Sequence, residues 1–211
     1  MKLYSFPAAP NPRRLHLFMA EKGIEIPMES VDLMKGEQFK PEFLALNPGA
    51  TVPVLVTDEG ECLSQVVAIC DYLEALYPAP PLLGSSALEK GLVREWSNRM
   101  YSEGILAVAE VFRNVNPAFA GRSLPGQASF EQMPALAERG LKRLELFWQT
   151  LEARLEGREF LVCDRYTMAD IDALCSCDFA RWIRQSIPES CTNIRRWHAG
   201  VSSRPSVKAC A

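Results

Sequence analysis

The segment TVPVLVTDEGECL, residues 51–63, decides the fold. Val54–Val56 and Glu61–Leu63 flank Asp58-Glu59-Gly60, and that spacing predicts a compact β-hairpin closed by a glycine-containing turn. Pro53 stands at the entrance of the first strand, where a missing N–H is tolerated if the ladder needs no donor there or if the peptide bond is cis. A cis Val52-Pro53 bond would turn the Val52 backbone outward, free to pair with an extended, peptide-like ligand. The local residues leave both conformations open.

Working outward, residues 2–6 read as a strand, 12–22 as a helix, 26–31 as a strand and 38–46 as a short helix ended by Asn47-Pro48-Gly49. After the hairpin, Ser64 can cap a helix in which Val66, Ile69, Cys70, Leu73 and Tyr77 follow helical spacing. The order βαβ, α, ββ, α predicts a small α/β domain of thioredoxin-like type, with one crossover unit and a terminal hairpin. YPAPPLLGSS, residues 77–86, interrupts the pattern as a linker. Beyond it the spacing predicts helices over 87–114, 129–156, 167–183 and 190–202, with NPAFAGRSLPGQASF, residues 116–130, as a long loop. Thr167 and Asp170 form a capping-box pattern at one helix entrance. The expected division is a thioredoxin-like domain at 1–78, a linker at 79–86 and an all-α domain at 87–211.

The first helix has a well-marked start in YSFPAAPNPRRL, residues 4–15. Asn11 suits the N-cap, Pro12 the first helical position, and Gly23 a left-handed stop. A helix start just after a strand end offers free N–H groups and a partial positive charge, which favour an anion. A well-capped turn without a ligand has the same local sequence.

Composition narrows the function classes. The chain has 211 residues, 48% hydrophobic and 23% charged, with a net charge of −3. That describes a globular protein without the basic footprint of a nucleic-acid binder. No apolar run approaches the ~20 residues that cross a membrane, and Pro7 and Pro10 interrupt any signal-peptide core, so a cytoplasmic location is expected. The seven cysteines are scattered with no CxxC pair, Cys175 and Cys177 point away from each other on a helix, and there are only two histidines, His16 and His198. No metal site is expected.

In this order, APNPRR, AEKGI, FLALNPGATVPVL, LSQVVAICDYLEALYP and FLVCDRYTMADI resemble the cytosolic glutathione transferases over nearly the whole chain. The similarity is greatest to the bacterial and fungal subgroup that lacks a conserved catalytic Tyr, Ser or Cys. The resemblance implies an enzyme that adds the glutathione thiol to a small hydrophobic electrophile, or reduces peroxide with it, with glutathione as co-substrate and no metal. It implies that the sulfur sits at the start of the first helix, where Asn11 could donate to a thiolate. A free thiol ionises near pH 8.5, and each unit of lowering is worth about 1.4 kcal/mol. Val52, before a cis Pro53, would pair its backbone with the cysteinyl unit. Gln65 and Val66 would meet the γ-glutamyl end, and Gln38, with Lys35 or Thr51, the glycyl carboxylate. Gln65 also reads as a solvated helix-start residue, and Lys35 as an exposed loop cation. A homodimer packed through the helix at 65–77 and the long helix after the linker is implied as well.

Three departures from the family pattern stand out. Ala9 lacks a hydroxyl or thiol, Val66 replaces a serine that grips the γ-glutamyl carboxylate, and Asn114 and Asn116 stand where relatives often carry histidines. A charge-assisted hydrogen bond of roughly 1.5–3 kcal/mol is lost at Val66. The alternative function is therefore a weakly catalytic or non-catalytic binding protein with a degraded thiol site. Arg99, Tyr101, Glu103, Phe112 and Arg113 are candidates for the electrophile side, each equally readable as a solvated helix face.

Overall fold

Leu3, Leu55 and Val54 show how the sheet is covered. In a computed structural model, which describes residues 1–210, β1 (Lys2–Ser5) runs parallel to β2 (Met28–Ser30) and antiparallel to β3 (Val54–Val56), which pairs with β4 (Cys62–Leu63) in the order β2-β1-β3-β4. Successive side chains of a strand face opposite ways. Leu3 and Leu55 therefore join the core beneath α1 (Pro10–Lys22) and α3 (Val66–Leu76), while Val54 packs on the other face with Val31, Val52 and Phe43 of α2 (Pro41–Leu46). The hairpin closes where expected, with Thr57 N–H to Glu61 O at 2.9 Å and Gly60 at φ 87°.

The expected helix at 38–46 is two pieces, a 3-10 turn at Glu37–Phe39 and then α2. Pro41 cannot donate an N–H and so restarts the helix instead of continuing it. The linker is bound down: Leu82 accepts from Met168 N–H at 3.0 Å, and Gly84, at φ 95°, lies where a Cβ would meet Lys90 N at 2.6 Å.

The second domain comprises α4 (Ala87–Arg99), α5 (Leu106–Val115), α6 (Pro134–Arg154), α7 (Met168–Ala180), α8 (Thr192–Ser202) and a short α9 (Pro205–Ala209). The single helix expected over 87–114 is broken by a π turn at Met100–Ile105. That widened turn lies against α7, where Ser176 Oγ sits 3.0 Å from the Met100 carbonyl and a Cβ on Gly104 would come within 2.6 Å of the Ser176 hydroxyl. Such packing is invisible to helical periodicity.

α7 is buried nearly all round. At its entrance the Asp170 carboxylate accepts from Leu161 N, Thr167 N, the Thr167 hydroxyl and Trp197 Nε1 at 3.0–3.2 Å, so the expected capping box becomes a four-donor junction. α1 packs against α3 on one side and α7 on the other. One apolar core therefore runs from Leu15, Phe18 and Ile69 to Phe147, Ile171 and Leu174, and the two halves share it. Among the described residues no helix is long and apolar enough to cross a membrane.

Candidate active site

The first turn of α1 differs from the sequence expectation. The helix starts at Pro10 with Ala9 as its cap, so Asn11 is the second helical residue and not the N-cap. Either proline can open a helix, and the turn that pairs Ala9 N–H with Phe6 O and Arg13 N–H with Ala9 O selects the earlier one. Pro10 and Pro12 carry no N–H, so the backbone donor left unpaired in this turn is that of Asn11. No acidic side chain occupies the turn to neutralise it.

Asn11 is oriented from within its own helix. Arg14 Nη1 donates to Asn11 Oδ1 at 3.0 Å, which leaves the Asn11 NH2 for the other side. Arg14 is 3% exposed; its Nε donates to Asp172 Oδ1 of α7 at 2.6 Å and its guanidinium lies 4.8 Å from the Tyr101 ring centre. Burial pushes the Asp172 carboxyl up, against the pull of Arg14 and Ser97.

Val52 is presented by the turn after α2. Asn47 Nδ2 donates to the Thr51 carbonyl at 2.8 Å and hydroxyl at 3.0 Å, while Asn47 Oδ1 accepts from Gly49 N at 3.0 Å. The Val52 side chain is anchored in the small core beside Phe43 and Val54. The Val52-Pro53 bond is cis, and the Val52 N–H and C=O find no hydrogen-bond partner among the described residues.

α3 brings its own start to the same place. Gln65, not Ser64, is its cap residue; the Gln65 side chain is exposed and makes no capping bond. Val66 at the first helical position is buried in the main core, so only its backbone can serve a ligand.

These parts enclose a cavity of about 330 Å³ between the halves of the chain, lined on one side by Asn11, Thr51, Val52, Pro53, Gln65 and Val66. Ser64 and Val67 complete that side; Arg94, Ser97, Asn98 and Tyr101 face it from the α4 side, and Pro125 from the long loop. Two arginines, Arg14 and Arg94, and no carboxylate line it, and two helix starts open onto it. The electrostatics favour an anionic ligand with amide groups to pair.

Several expected residues are elsewhere. Gln38 is buried in the 3-10 turn and Lys35 is exposed, 3.2 Å from Asp32; neither lines the cavity. Of the electrophile candidates only Tyr101 does. Arg99 pairs with Glu103 at 3.0 Å, Arg113 donates to the Arg122 carbonyl, and Phe112 stacks edge-on with Phe119, Phe179 and Trp182. Asn114 bonds Met133 N and the Glu110 carbonyl, and Asn116 caps Ala118 N, so both are occupied structurally. Burial pushes the Cys175 thiol up to about 12 and Cys70 higher still. Neither is poised as a nucleophile.

Sequence reasoning missed Arg14, Asp172, Asn47 and the cavity-facing Ser64. An arginine one turn after Asn11, and an aspartate inside an otherwise apolar helix, were the available signals for the first two. Nothing local joins them across 158 residues.

Comparison with known proteins identifies the family. The sequence models of "Glutathione S-transferase, N-terminal domain" and "Glutathione S-transferase, C-terminal domain" match residues 3–81 and 115–205. Glutathione S-transferase 2 of Saccharomyces cerevisiae is 32% identical over 99% of this chain and 88% of its own. This chain belongs to the glutathione S-transferase family. Among solved glutathione S-transferase structures, Gtt2 from Saccharomyces cerevisiae superposes with a TM-score of 0.91 at 31% identity, covering 100% of both chains. A glutathione S-transferase from Methylobacillus flagellatus, crystallised with glutathione bound, superposes with a TM-score of 0.83 at 26% identity over 100% of this chain and 98% of its own. The fold of the glutathione S-transferases, a four-stranded mixed sheet followed by a helical domain, is the fold described above.

Proposed function

We propose that this protein is a glutathione transferase that holds the glutathione thiol as thiolate at the start of α1 for attack on a small hydrophobic electrophile. The observation that carries the reading is the free Asn11 NH2 and backbone N–H at a helix start, beside the unpaired Val52 backbone. Val52 pairs with the cysteinyl unit, which brings the sulfur toward Asn11. Gln65 and the Val66 N–H take the γ-glutamyl end, and Thr51, the one member of the expected glycyl set that lines the cavity, takes the glycyl end. The glutathione S-transferase of Methylobacillus flagellatus with glutathione bound supports glutathione as the co-substrate.

The chemistry balances simply. The bound thiol loses its proton to solvent, the sulfur lone pair forms a bond to an electrophilic carbon, and the leaving group departs with the electron pair of the broken bond. Asn11 and the helix start favour thiolate over thiol, and Tyr101 and Pro125 border the space for the electrophile. No metal takes part in this reading. The protein works as a cytoplasmic homodimer, packed through α3 and α4.

A glutathione affinity column and a pH–rate profile with an aryl halide test the proposal. Retention, with a bound thiol that titrates below its free value, is expected; no retention at millimolar glutathione overturns it. The buried Val66 and the bare Ala9 favour a second reading, a binding protein for apolar ligands with a degraded thiol site. Retention without turnover of any aryl halide would select it.

A further inference from the structure

We infer that Asp172, on α7 of the helical domain, is the positioning residue of the thiol site, acting through Arg14 on Asn11. The inference rests on the reading above, in which the cavity takes a thiolate.

An arginine can only donate. With Arg14 Nη1 at 3.0 Å, the acceptor of the Asn11 amide is engaged, and its donor, on a residue that lines the cavity, has no hydrogen-bond partner among the described residues. The opposite amide rotamer would aim N–H at N–H toward Arg14 and a carbonyl oxygen at an incoming anion, so both contacts would be repulsive. The orientation of Asn11 is thus only as secure as that of Arg14.

Three contacts fix Arg14: the ring face of Tyr101, the Asn11 oxygen and the Asp172 carboxylate. Only the last carries a compensating charge. Asp172 is fully buried; Arg14 Nε donates to its Oδ1 at 2.6 Å, its Oδ2 has no hydrogen-bond partner among the described residues, and Ser97 and Arg94 are the other groups that favour its charge. Desolvation offsets much of the attraction in a buried ion pair, which makes such a pair a better locator than stabiliser. Arg14, with Val67, Arg94 and Ser97, borders both the 330 Å³ cavity and a second one of about 590 Å³ that Asp172 lines, so without Asp172 its side chain has open space to move into. The other charged or titratable groups on the thiol cavity are Arg94, paired with Asp71 at 2.5 Å, and Tyr101. The same two helices carry a second ion pair, Arg13 with Asp178 at 2.8 Å, which does not reach Asn11 and serves as a control.

The experiment compares Asp172→Asn, Asp172→Glu and Asp178→Asn in the full chain. One readout is the Asn11 side-chain amide resonance of the ligand-free protein; the other is the ultraviolet titration of the thiol of bound glutathione. Asp172→Asn is expected to move the amide resonances, raise the thiol titration by about one pH unit and lower kcat/KM about tenfold. Asp172→Glu should recover part of both, and Asp178→Asn should lower the melting temperature while moving neither. If Asp172→Asn does not fold, Arg14→Lys decides, because one ammonium does not reproduce the guanidinium fork and should give the same two shifts. Unchanged Asn11 resonances, or equal changes in Asp178→Asn, overturn the inference. Resonances that respond while the wild type binds no glutathione would overturn the proposed function and leave the positioning role standing.

Discussion

Gln127 of the long loop donates from Nε2 to the Pro48 carbonyl at 2.7 Å, tying the segment that carries Pro125 to the turn that presents Val52. This bond joins two segments that each border the cavity, one through Pro125 and the other through Thr51 and Val52. It is exposed, so its worth is of order 0.5–1.5 kcal/mol. Gln127→Ala is expected to raise the glutathione dissociation constant roughly two- to tenfold with little change in melting temperature, as read by calorimetry and thermal denaturation. An unchanged constant would mean that the loop does not bear on the site.

Val66 trades binding for packing. Its side chain is 4% exposed in the main core, where a serine would leave a buried hydroxyl in place of apolar surface. Val66→Ser is expected to cost about 2 kcal/mol of stability while tightening glutathione binding about tenfold or more. A thermal melt and a titration on the same sample check both signs.

Asn11 is the one side-chain amide at the helix start. Asn11→Ala should lower kcat/KM for an aryl halide about 100-fold, in line with loss of one donor to a developing anion. Asn11→Asp should be worse: it keeps an acceptor for Arg14 and places a carboxylate against the sulfur. If both variants keep wild-type rates, the thiol does not sit at α1.

Asp170 makes stability depend on pH. Burial pushes its carboxyl up to about 6, against the pull of the Leu161 and Thr167 amides, Trp197 and the Thr167 hydroxyl. An unfolded aspartate titrates near 3.9, so between the two values the folded chain binds more protons than the unfolded one. This group's contribution is then fully present below about pH 4, falls as pH rises to about 6, and is constant above; the span is at most about 3 kcal/mol. Asp170→Asn should destabilise at every pH, because one amide oxygen cannot serve four donors, and the gap from wild type should narrow from pH 4 to 6. Denaturant titrations of both proteins across that range measure it.

The proposed dimer face on α3 and α4 exposes Val67, Leu76 and Leu88, the last 72% accessible. Leu88→Arg is expected to shift the protein from dimer to monomer in sedimentation velocity. A wild type that sediments as a monomer would remove this part of the proposal.

The order of elements, the hairpin at 54–63, the capping box at Thr167 and the helix that follows Gln65 were all legible in the sequence, because each depends on residues within a few positions of one another. The cavity side formed by Asn11, Thr51, Val52, Pro53, Gln65 and Val66 followed from motif order once the family resemblance was drawn. The start of α1 was misplaced by two residues because Pro10 and Pro12 are locally equivalent, and only the turn packed around Ala9 distinguishes them. The π turn at Met100–Ile105 was hidden because its cause, Ser176 and the close approach at Gly104, lies on another helix. The ion pair of Arg14 with Asp172 was hidden for the same reason. Local chemistry set which helices and strands form; burial of α1 between α3 and α7 decided which way Asn11 faces, because a buried guanidinium turns to the carboxylate that tertiary packing brings to it.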